Sequence, residues 1–436
     1  MILAISLCAL PCLLMILAVL KKPRIHLFGK EVDSYPIVVF IGACAMLALG
    51  KVHLKNVVSS FFSDSAVNPL KILVLFISMT ILSVFLDELG FFRYVATRTL
   101  EKADTAQTKL FLYLYVTVSV LTVFTSNDII ILTFTPFICY FAKHADISPL
   151  PYLVAEFVAA NTWSMALVIG NPTNIYLASA MGIDFFGYAK IMLLPTLCAG
   201  ILAFVLLRLI FAKQLKKPLK CQHEECKIAN KTLLIIGLVH LGACTLALAV
   251  ASYIGLQMWI ISLGFALSLL VFVSIYALSH HTDLSVLTAS LKRAPWQLVP
   301  FVLSMFVLIL GLSETGATAA LANLLGSKHS VFTYGFTSFL ASNLINNIPM
   351  SVLFGSVLSS FEGANKLAAV FATVIGSNIG AFLTPIGALA GIMWSDMLKK
   401  QNVRFGYRSF VKYGAMVALP VMAVSLLALA LICHAF

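Results

Sequence analysis

Charged residues are scarce in this chain. They make up 11% of its 436 residues, whereas hydrophobic residues make up 61%. An ordinary soluble domain carries roughly a quarter charged residues, so this composition excludes a sizeable soluble domain and predicts a protein that crosses a membrane many times. At about 20 residues per crossing plus short loops, the length leaves room for about ten spans.

Acidic residues are the scarcer charge, and the formal net charge is +12. The basic residues stand in short loops between apolar runs, as orientation signals do, and not in one patch that could bind nucleic acid. If the N-terminus lies outside, 23 of the 29 Lys and Arg residues fall on the inner side. The positive-inside rule therefore predicts a multi-pass inner-membrane protein with both termini outside.

Motifs for catalysis and nucleotide binding are absent from the sequence. There is no Gly-x-Ser-x-Gly, no His-Glu-x-x-His and no pair of Asp residues at membrane depth, so we expect no enzyme activity. There is no Gly-x-x-x-x-Gly-Lys-Ser/Thr either, so ATP would have to be used by a separate ATPase subunit. We expect no cofactor other than a coupling proton or sodium ion, and a homodimer is left open.

One stretch, 213–230, is rich in Lys and lacks an apolar run. It contains Cys221, His223 and Cys226, which could bind a soft metal. Because the stretch joins two hydrophobic halves, a cytoplasmic linker is the favoured interpretation.

Unbroken apolar runs alternate with interrupted ones. Unbroken spans are predicted at 2–20, 36–50, 69–88, 187–212, 231–252, 256–278, 296–313 and 409–433. The spans 151–181 and 366–396 are interrupted by Gly, Pro and Asn. The regions 109–142 and 331–360 each have two apolar arms of roughly 11–16 residues around a polar centre, which predicts re-entrant hairpins. A turn inside the bilayer needs protein or a wet cavity around it.

Short motifs recur in the same order at offsets of 217 to 226 residues. The corresponding pairs are Glu88-Leu89-Gly90 and Glu314-Thr315-Gly316, Asn127-Asp128 and Asn346-Asn347, Asn161 and Asn378, and Phe186-Gly187-Tyr188 and Phe405-Gly406-Tyr407. Each repeat contains five crossings, an odd number, so the second is expected upside down relative to the first.

The predicted fold is an all-α polytopic membrane protein with two inverted repeats of five transmembrane helices. Each repeat has one re-entrant hairpin and one broken helix. The predicted organisation is a first repeat at 1–212 with the hairpin 109–142, the cytoplasmic linker 213–230, and a second repeat at 231–436 with the hairpin 331–360.

Four chain breaks are expected to meet at the middle of the membrane. A broken helix exposes carbonyl groups that bind cations and N–H groups that attract anions, and paired broken helices mark the site of transporters with inverted repeats. The candidate ligands of a substrate or coupling ion are Ser126, Asn127, Asp128, Asn171, Thr173, Asn174, Asn343, Asn346, Asn347, Asn378 and Thr384. The candidate hinge residues are Gly170, Pro172, Pro385 and Gly387.

Asp128 is the acidic residue that this pattern singles out. It lies at a hairpin tip, and its counterpart in the second repeat is the neutral Asn347. A carboxyl at that depth is costly, so we expect it to carry a proton during transport, to cap the second hairpin arm, or to do both. Glu156 is expected to snorkel to the interface, while Glu88 and Glu314 are expected to flank membrane exits.

The same residues carry a resemblance to a known family. The segments that resemble bacterial arsenite permeases are 376–380, 383–390, Trp394 with 405–407, Ser126-Asn127-Asp128 with Thr135-Pro136, and Asn346-Asn347-Ile348-Pro349. The resemblance covers most of both repeats and extends to the ion transporter superfamily, which includes citrate and dicarboxylate transporters. It implies an elevator-type secondary transporter and, for the arsenite branch, export against inward proton flow.

The first helix break departs from that family. Gly170-Asn171-Pro172-Thr173-Asn174 stands where arsenite permeases have Ser-Asn-Leu-Val-Asn. The substrate is therefore open between an arsenite- or antimonite-type oxyanion or other small anion, moved by a proton or sodium gradient, and citrate or a dicarboxylate moved with sodium. A passive channel and an intramembrane enzyme are the alternatives of other classes; paired broken helices favour a closed binding site.

Overall fold

A computed structural model describes residues 1–21, 24–27, 29–63, 68–103, 106–216, 228, 230–251, 253–361 and 365–435, most of which are helical. The cluster of Cys221, His223 and Cys226 lies outside the described residues.

The chain begins with a small group of elements that precedes the first hairpin and broken helix. They are α1 (Ile2–Lys21), β1 (Arg24–Leu27), β2 (Lys30–Asp33), α2 (Ser34–Ala48) and α3 (Leu54–Phe62). The two strands pair antiparallel, and Gly29 at their turn takes a positive φ of 77°, which glycine adopts without strain. This ribbon was not predicted, because its two four-residue strands lie in a short polar connection between two apolar runs and were interpreted as a loop.

From α4 onward the chain runs twice through one order of elements. The first run is α4 (Pro69–Glu88), α5 (Phe91–Ala103), α6 (Gln107–Phe124), α7 (Asn127–His144), α8 (Leu150–Trp163), a 3₁₀ turn (Val168–Gly170), α9 (Pro172–Ala180) and α10 (Phe185–Ile210). The elements between the runs are α11 (Ala212–Leu215), α12 (Lys231–Val250), α13 (Met258–His280) and α14 (Ser285–Arg293). The second run is α15 (Leu298–Glu314), α16 (Ala317–Leu325), α17 (Ser330–Ile345), α18 (Asn347–Ser359), α19 (Lys366–Gly380), α20 (Leu389–Lys400) and α21 (Tyr407–Ala435).

The two halves of the chain pack on each other reciprocally. Helix α2 contacts α15 while α13 contacts α4, and α7 contacts α20 while α18 contacts α9. The glycines after α4 and α15, Gly90 and Gly316, both have positive φ, 81° and 76°. Matched elements therefore exchange partners between the halves, as two related repeats would. Their opposite sense in the membrane stays a prediction.

Seven helices of the described residues are long and apolar enough to cross a membrane. Six of them correspond to predicted spans, with α14 and α15 counted together as Ser285–Glu314, and α4 has the predicted bounds. Helices α1 and α2 contribute shorter apolar segments. The seventh is α6, the first arm of the hairpin 109–142. Helices α6 and α7 have 18 residues each, about 27 Å in length, so the arms are longer than predicted. The chain nevertheless breaks between them, at Thr125 and Ser126.

Small residues hold the second hairpin against the second broken helix. Along the contact between α17 and α19, a Cβ at Gly376 would overlap the hydroxyl of Ser338, and a Cβ at Gly380 would overlap that of Ser342. Small residues four apart let membrane helices approach closely. The hairpin tip at 346 and the helix break at 381–388 are thereby placed side by side.

Candidate substrate and ion site

The tip of the first hairpin touches the helix that follows it. The backbone is extended at Thr125 and Ser126, and α7 begins at Asn127. The Asn127 amide donates to Oδ1 of Asn161 on α8 (3.1 Å), whose own amide donates to the carbonyl of Phe157 (2.8 Å). The hairpin is therefore tied to the first broken helix at the residue where α7 starts.

The first helix break is built from the predicted Gly-Asn-Pro-Thr-Asn run. Asn171 caps α9: its Oδ1 accepts from the backbone N–H and the hydroxyl of Thr173, both at 3.1 Å, and Pro172 occupies the first turn, where no N–H is needed. The Asn174 amide donates to the carbonyls of Ser164 (2.9 Å) and Leu167 (3.3 Å). Backbone groups freed by the break are thus satisfied by side chains.

Gly170 and Gly387 occupy matching places in the two breaks, and both allow close approach of backbone. A Cβ at Gly170 would overlap the carbonyl of Ser164, and one at Gly387 would overlap the carbonyl of Gly380. Glycine is therefore needed at both positions for a steric reason, while a hinge motion at these residues stays a prediction.

Asn378 joins the two repeats. Its Oδ1 accepts from Ser164 Oγ and from the Asn171 amide, both at 3.0 Å. Its amide donates to Asn174 Oδ1 (2.7 Å) and to the Val374 carbonyl (2.8 Å). An Asn side chain has two donors and two acceptor positions, so all of them are used. In this conformation Asn378 acts as a bridge, not as a ligand with spare capacity.

The second hairpin is bound to the second helix break. Asn346 has a positive φ of 73°; its Oδ1 accepts from the Ile348 N–H (3.3 Å) and its amide donates to the Ile386 carbonyl (3.0 Å). The Asn347 N–H donates to the Gly387 carbonyl (3.0 Å). The tip is therefore fixed through backbone contacts across the break.

Asn343 completes this second group of polar contacts. Its Oδ1 accepts from the N–H (3.1 Å) and the hydroxyl (2.7 Å) of Thr384, and its amide donates to the carbonyl of Gly380 (3.0 Å). Pro385 follows Thr384 in the irregular segment. The structure thus places predicted residues of all four breaks in or beside two polar groups. Asn378, which contacts the first helix break, stands on α19 two residues before Gly380 of the second group. The binding of an ion or substrate by these residues stays a prediction.

Asp128 and Asn347 stand at equivalent positions of the two hairpin tips, and neither side chain makes a hydrogen bond among the described residues. Asp128 and Ser126 line a cavity of about 310 Å³, which extends to Asp33, Lys292 and Arg293. These three residues lie on the predicted cytoplasmic side, so the cavity leads from that side to the first hairpin tip. Asp128 therefore makes no cap and lines the cavity, while its binding of an ion or a proton stays a prediction.

The mouth of this cavity carries fixed charges. Arg293 donates to both Asp87 (2.7 Å) and Glu88 at the end of α4, and Asp87 also accepts from the Thr133 hydroxyl of α7 (2.9 Å). Burial raises the pKa of Asp33 above its usual value, and the charge of Arg24 only partly opposes this shift. Glu88 thus belongs to an ion-pair network at the predicted membrane exit.

The interior itself holds little charge. Among the buried polar and charged residues of the described chain there is no Lys or Arg, and Glu156 is the only acidic one. The prediction that Glu156 snorkels is wrong. Its side chain has no exposed surface, and its carboxyl accepts from the Thr135 hydroxyl at 2.9 and 3.1 Å, because α8 is enclosed by other helices over nearly its whole length.

Two further residues belong to the polar site and were not among the candidate ligands. Asn161 holds the first hairpin tip, and Ser164 connects Asn161 to Asn378. The repeat offset that relates Asn161 to Asn378 is a signal that could have identified Asn161. No comparable signal marks Ser164, a small polar residue with no polar partner at the same offset.

The fold and sequence are similar to those of known transporters. The sequence model of the CitMHS citrate transporter family matches residues 15–369. The arsenical pump membrane protein of Escherichia coli is 29% identical over 371 residues, covering 82% of this chain and 85% of that protein; that of Yersinia enterocolitica is 28% identical with the same coverage. The crystal structure of the Alcanivorax borkumensis YdaH transporter has a TM-score of 0.55 at 14% identity, over 100% of this chain and 97% of that one, which shows a shared fold.

The family match extends over both predicted repeats, from α1 into α19, and includes both hairpins and the first helix break. It agrees with the resemblance to arsenite permeases and citrate transporters seen in the sequence. The chain therefore belongs to the CitMHS citrate transporter family and is a multi-pass membrane transporter, not an enzyme.

Proposed function

We propose that this protein is a secondary active transporter of a small inorganic oxyacid of the arsenite or antimonite type, coupled to a proton or sodium gradient in the inner membrane. The substrate binds where the two hairpin tips meet the two helix breaks. The observation that carries this proposal is the chemistry of that region: amides, hydroxyls and backbone groups, with no buried Lys or Arg among the described residues.

The absence of buried basic side chains bears on the class of substrate. Arsenous acid is largely uncharged at neutral pH and presents hydroxyl groups. Amide side chains bind such hydroxyls as donors and acceptors, and a carboxylate binds them as an acceptor. A citrate anion carries several negative charges, and burying them without cations would cost many kcal/mol. The described site therefore favours a nearly neutral oxyacid unless cations enter with the substrate.

Asp128 and Asn347 are the groups best placed to meet a substrate or coupling ion. They occupy equivalent hairpin tips and have hydrogen-bonding capacity to spare, while their neighbours Asn346 and Asn378 are committed to protein partners. Alternating access then requires the bundle of hairpins and broken helices to move relative to a scaffold of unbroken helices. The cavity beside Asp128 represents access from one side.

A sodium-coupled citrate or dicarboxylate transporter is the second candidate. Membership of the citrate transporter family favours this candidate. The backbone carbonyls near the breaks also favour it, since carbonyl and amide oxygens coordinate sodium. In proteoliposomes, a sodium gradient would accelerate flux under this alternative, whereas a proton gradient would do so if Asp128 carries the coupling proton.

Thermal unfolding of the purified protein with single ligands tests the substrate class. We expect arsenite or antimonite to raise the midpoint, because a ligand of the folded state at 100 times its Kd stabilises by about 2.7 kcal/mol. Citrate, succinate and sulfate, with and without sodium, are the comparison ligands. A rise that requires citrate or succinate together with sodium, and is missing with arsenite and antimonite, would replace our proposal by the second candidate.

A further inference from the structure

Glu156 is the one acidic side chain that is fully buried among the described residues. It lies on α8, the unbroken part of the first interrupted helix, where residues 151–162 are all buried. A buried carboxyl inside a membrane protein is expensive, and the polar groups proposed above to bind substrate do not include it. Its presence therefore requires its own explanation.

The surroundings of Glu156 suit a neutral carboxyl. Its hydrogen-bond donor is the Thr135 hydroxyl of α7, and the thiol of Cys139, one turn further on, is its titratable neighbour. The indole of Trp394 on α20 also faces it, although the indole N–H meets no acceptor at hydrogen-bonding geometry. Among the described residues, Glu156 makes no ion pair or hydrogen bond with a charged side chain on α6, α7, α10, α19 or α20.

An ionised carboxylate in this place would lack a compensating cation. One hydroxyl donor replaces only part of the hydration that a carboxylate has in water, so an unpaired buried ion is strongly disfavoured here. A bound proton removes that charge. The protonated carboxyl can then donate a hydrogen bond to the Thr135 hydroxyl or accept one from it. In the observed conformation, the geometry therefore stabilises the protonated group.

Glu156 also lies behind a contact between two elements of the proposed moving bundle. Asp128 and Thr135 are seven residues apart on α7, two helical turns, and so lie on one face. On α20, Leu389 and Met393 line the cavity that Asp128 lines, and the next residue is Trp394. The contact between α7 and α20 thus separates the cavity from Glu156.

From this placement we infer that Glu156 is a second proton-binding site of the transporter, which takes up a proton from the cavity when the contact between α7 and α20 opens locally within the bundle and holds it when that contact closes. The step adds one proton from water to the carboxylate, and the reverse step returns it to water. This inference rests on the proposed function, because it assigns the group to proton-coupled transport. The simpler alternative is a neutral Glu156–Thr135 bond that only joins α7 to α8.

The test uses full-length protein in proteoliposomes and arsenite as the probe. Two fluxes are compared for wild type and Glu156→Gln: uptake driven by a pH gradient, and counterflow, an exchange that needs no net proton movement. We expect gradient-driven uptake to fall by about tenfold or more while counterflow stays within about twofold of wild type. The matched control is Glu314→Gln, the same exchange at an exposed position.

Infrared spectroscopy of the purified protein gives a readout that is independent of transport. We expect a carbonyl band of a buried protonated carboxyl in wild type, retained in Glu314→Gln and lost in Glu156→Gln. If wild type itself shows no arsenite flux, the proposed function fails, while the band still reports whether Glu156 holds a proton. Unchanged gradient-driven flux in Glu156→Gln, or a spectrum identical to that of wild type, overturns the inference.

Thr135→Val keeps the test valid if Glu156→Gln does not fold. This variant retains the carboxyl and removes its donor. We expect a shifted pH profile of gradient-driven uptake and a shifted carbonyl band. A purely structural Glu156 would instead leave the pH profile of the folded Thr135→Val protein as in wild type.

Discussion

Asn378 provides the most direct test of how the two repeats are joined. Asn378→Ala removes all four hydrogen bonds of this side chain. Ser164 keeps its bond to the Asn161 carbonyl, but the Asn171 amide and Asn174 Oδ1 lose their partners on the other repeat. Each buried polar group left unpaired costs about 1–3 kcal/mol, so we expect a loss of about 2–6 kcal/mol in the free energy of unfolding.

The loss is measured by denaturant or thermal unfolding of the purified variant in mild detergent. Hydrogen bonds between membrane helices contribute about 0.6 kcal/mol each on average, so a result near the lower end of the range is consistent with the network. The control is Asn323→Ala, at an exposed position of α16. If Asn378→Ala were as stable as this control, the amide network would not join the repeats energetically.

Three further comparisons of variants test the helix packing, the second hairpin tip and the cavity mouth. Gly380→Ala forces a Cβ into the hydroxyl of Ser342 and is expected to lower the free energy of unfolding by about 1–3 kcal/mol. The control Gly406→Ala places its Cβ in open space and is expected to cost less. Equal midpoints of the two variants in thermal unfolding would contradict the close packing at Gly380. Asn347→Ala is expected to weaken the stabilisation by ligand and to change the thermal midpoint of the ligand-free protein little. Asn346→Ala removes a helix cap and is expected to lower the ligand-free midpoint. A lowered ligand-free midpoint in Asn347→Ala and an unchanged one in Asn346→Ala would contradict these roles. The pKa of Asp33 is raised in the folded protein. Its protonated form therefore contributes fully to the free energy of unfolding below the usual Asp pKa, and this contribution is lost as pH rises through the raised pKa. We expect Asp33→Asn to flatten the curve of stability against pH in that range, and an unchanged curve would contradict the shift.

Much of the fold could be predicted because hydrophobicity and chain breaks are local properties of the sequence. The bounds of α4 follow from an uninterrupted apolar run, and the hairpins and broken helices follow from Asn, Gly and Pro inside apolar segments. The family resemblance rested on those same segments. The amphipathic helices α3 and α14, in contrast, lie in short polar connections that showed no membrane-length run.

What the sequence could not show depends on neighbours from distant parts of the chain. Glu156 looks like an interfacial residue by its position in the helix, and only the helices around α8 bury it. Asn378 looks like a candidate ligand, and only its contacts with Asn171 and Asn174 show that its hydrogen-bonding capacity is used within the protein. The sequence left open whether Asp128 caps the second hairpin arm. In the structure its side chain makes no such hydrogen bond among the described residues.

The measurement closest to the central claim is gradient-driven flux through Asp128→Asn in proteoliposomes. The exchange is nearly isosteric and removes the titratable group at the first hairpin tip, where the side chain makes no hydrogen bond among the described residues that folding would lose. We predict that the variant folds and exchanges arsenite by counterflow, but that a pH gradient no longer accelerates its uptake. Full acceleration by a pH gradient would contradict the role of Asp128 and the transport site built around it.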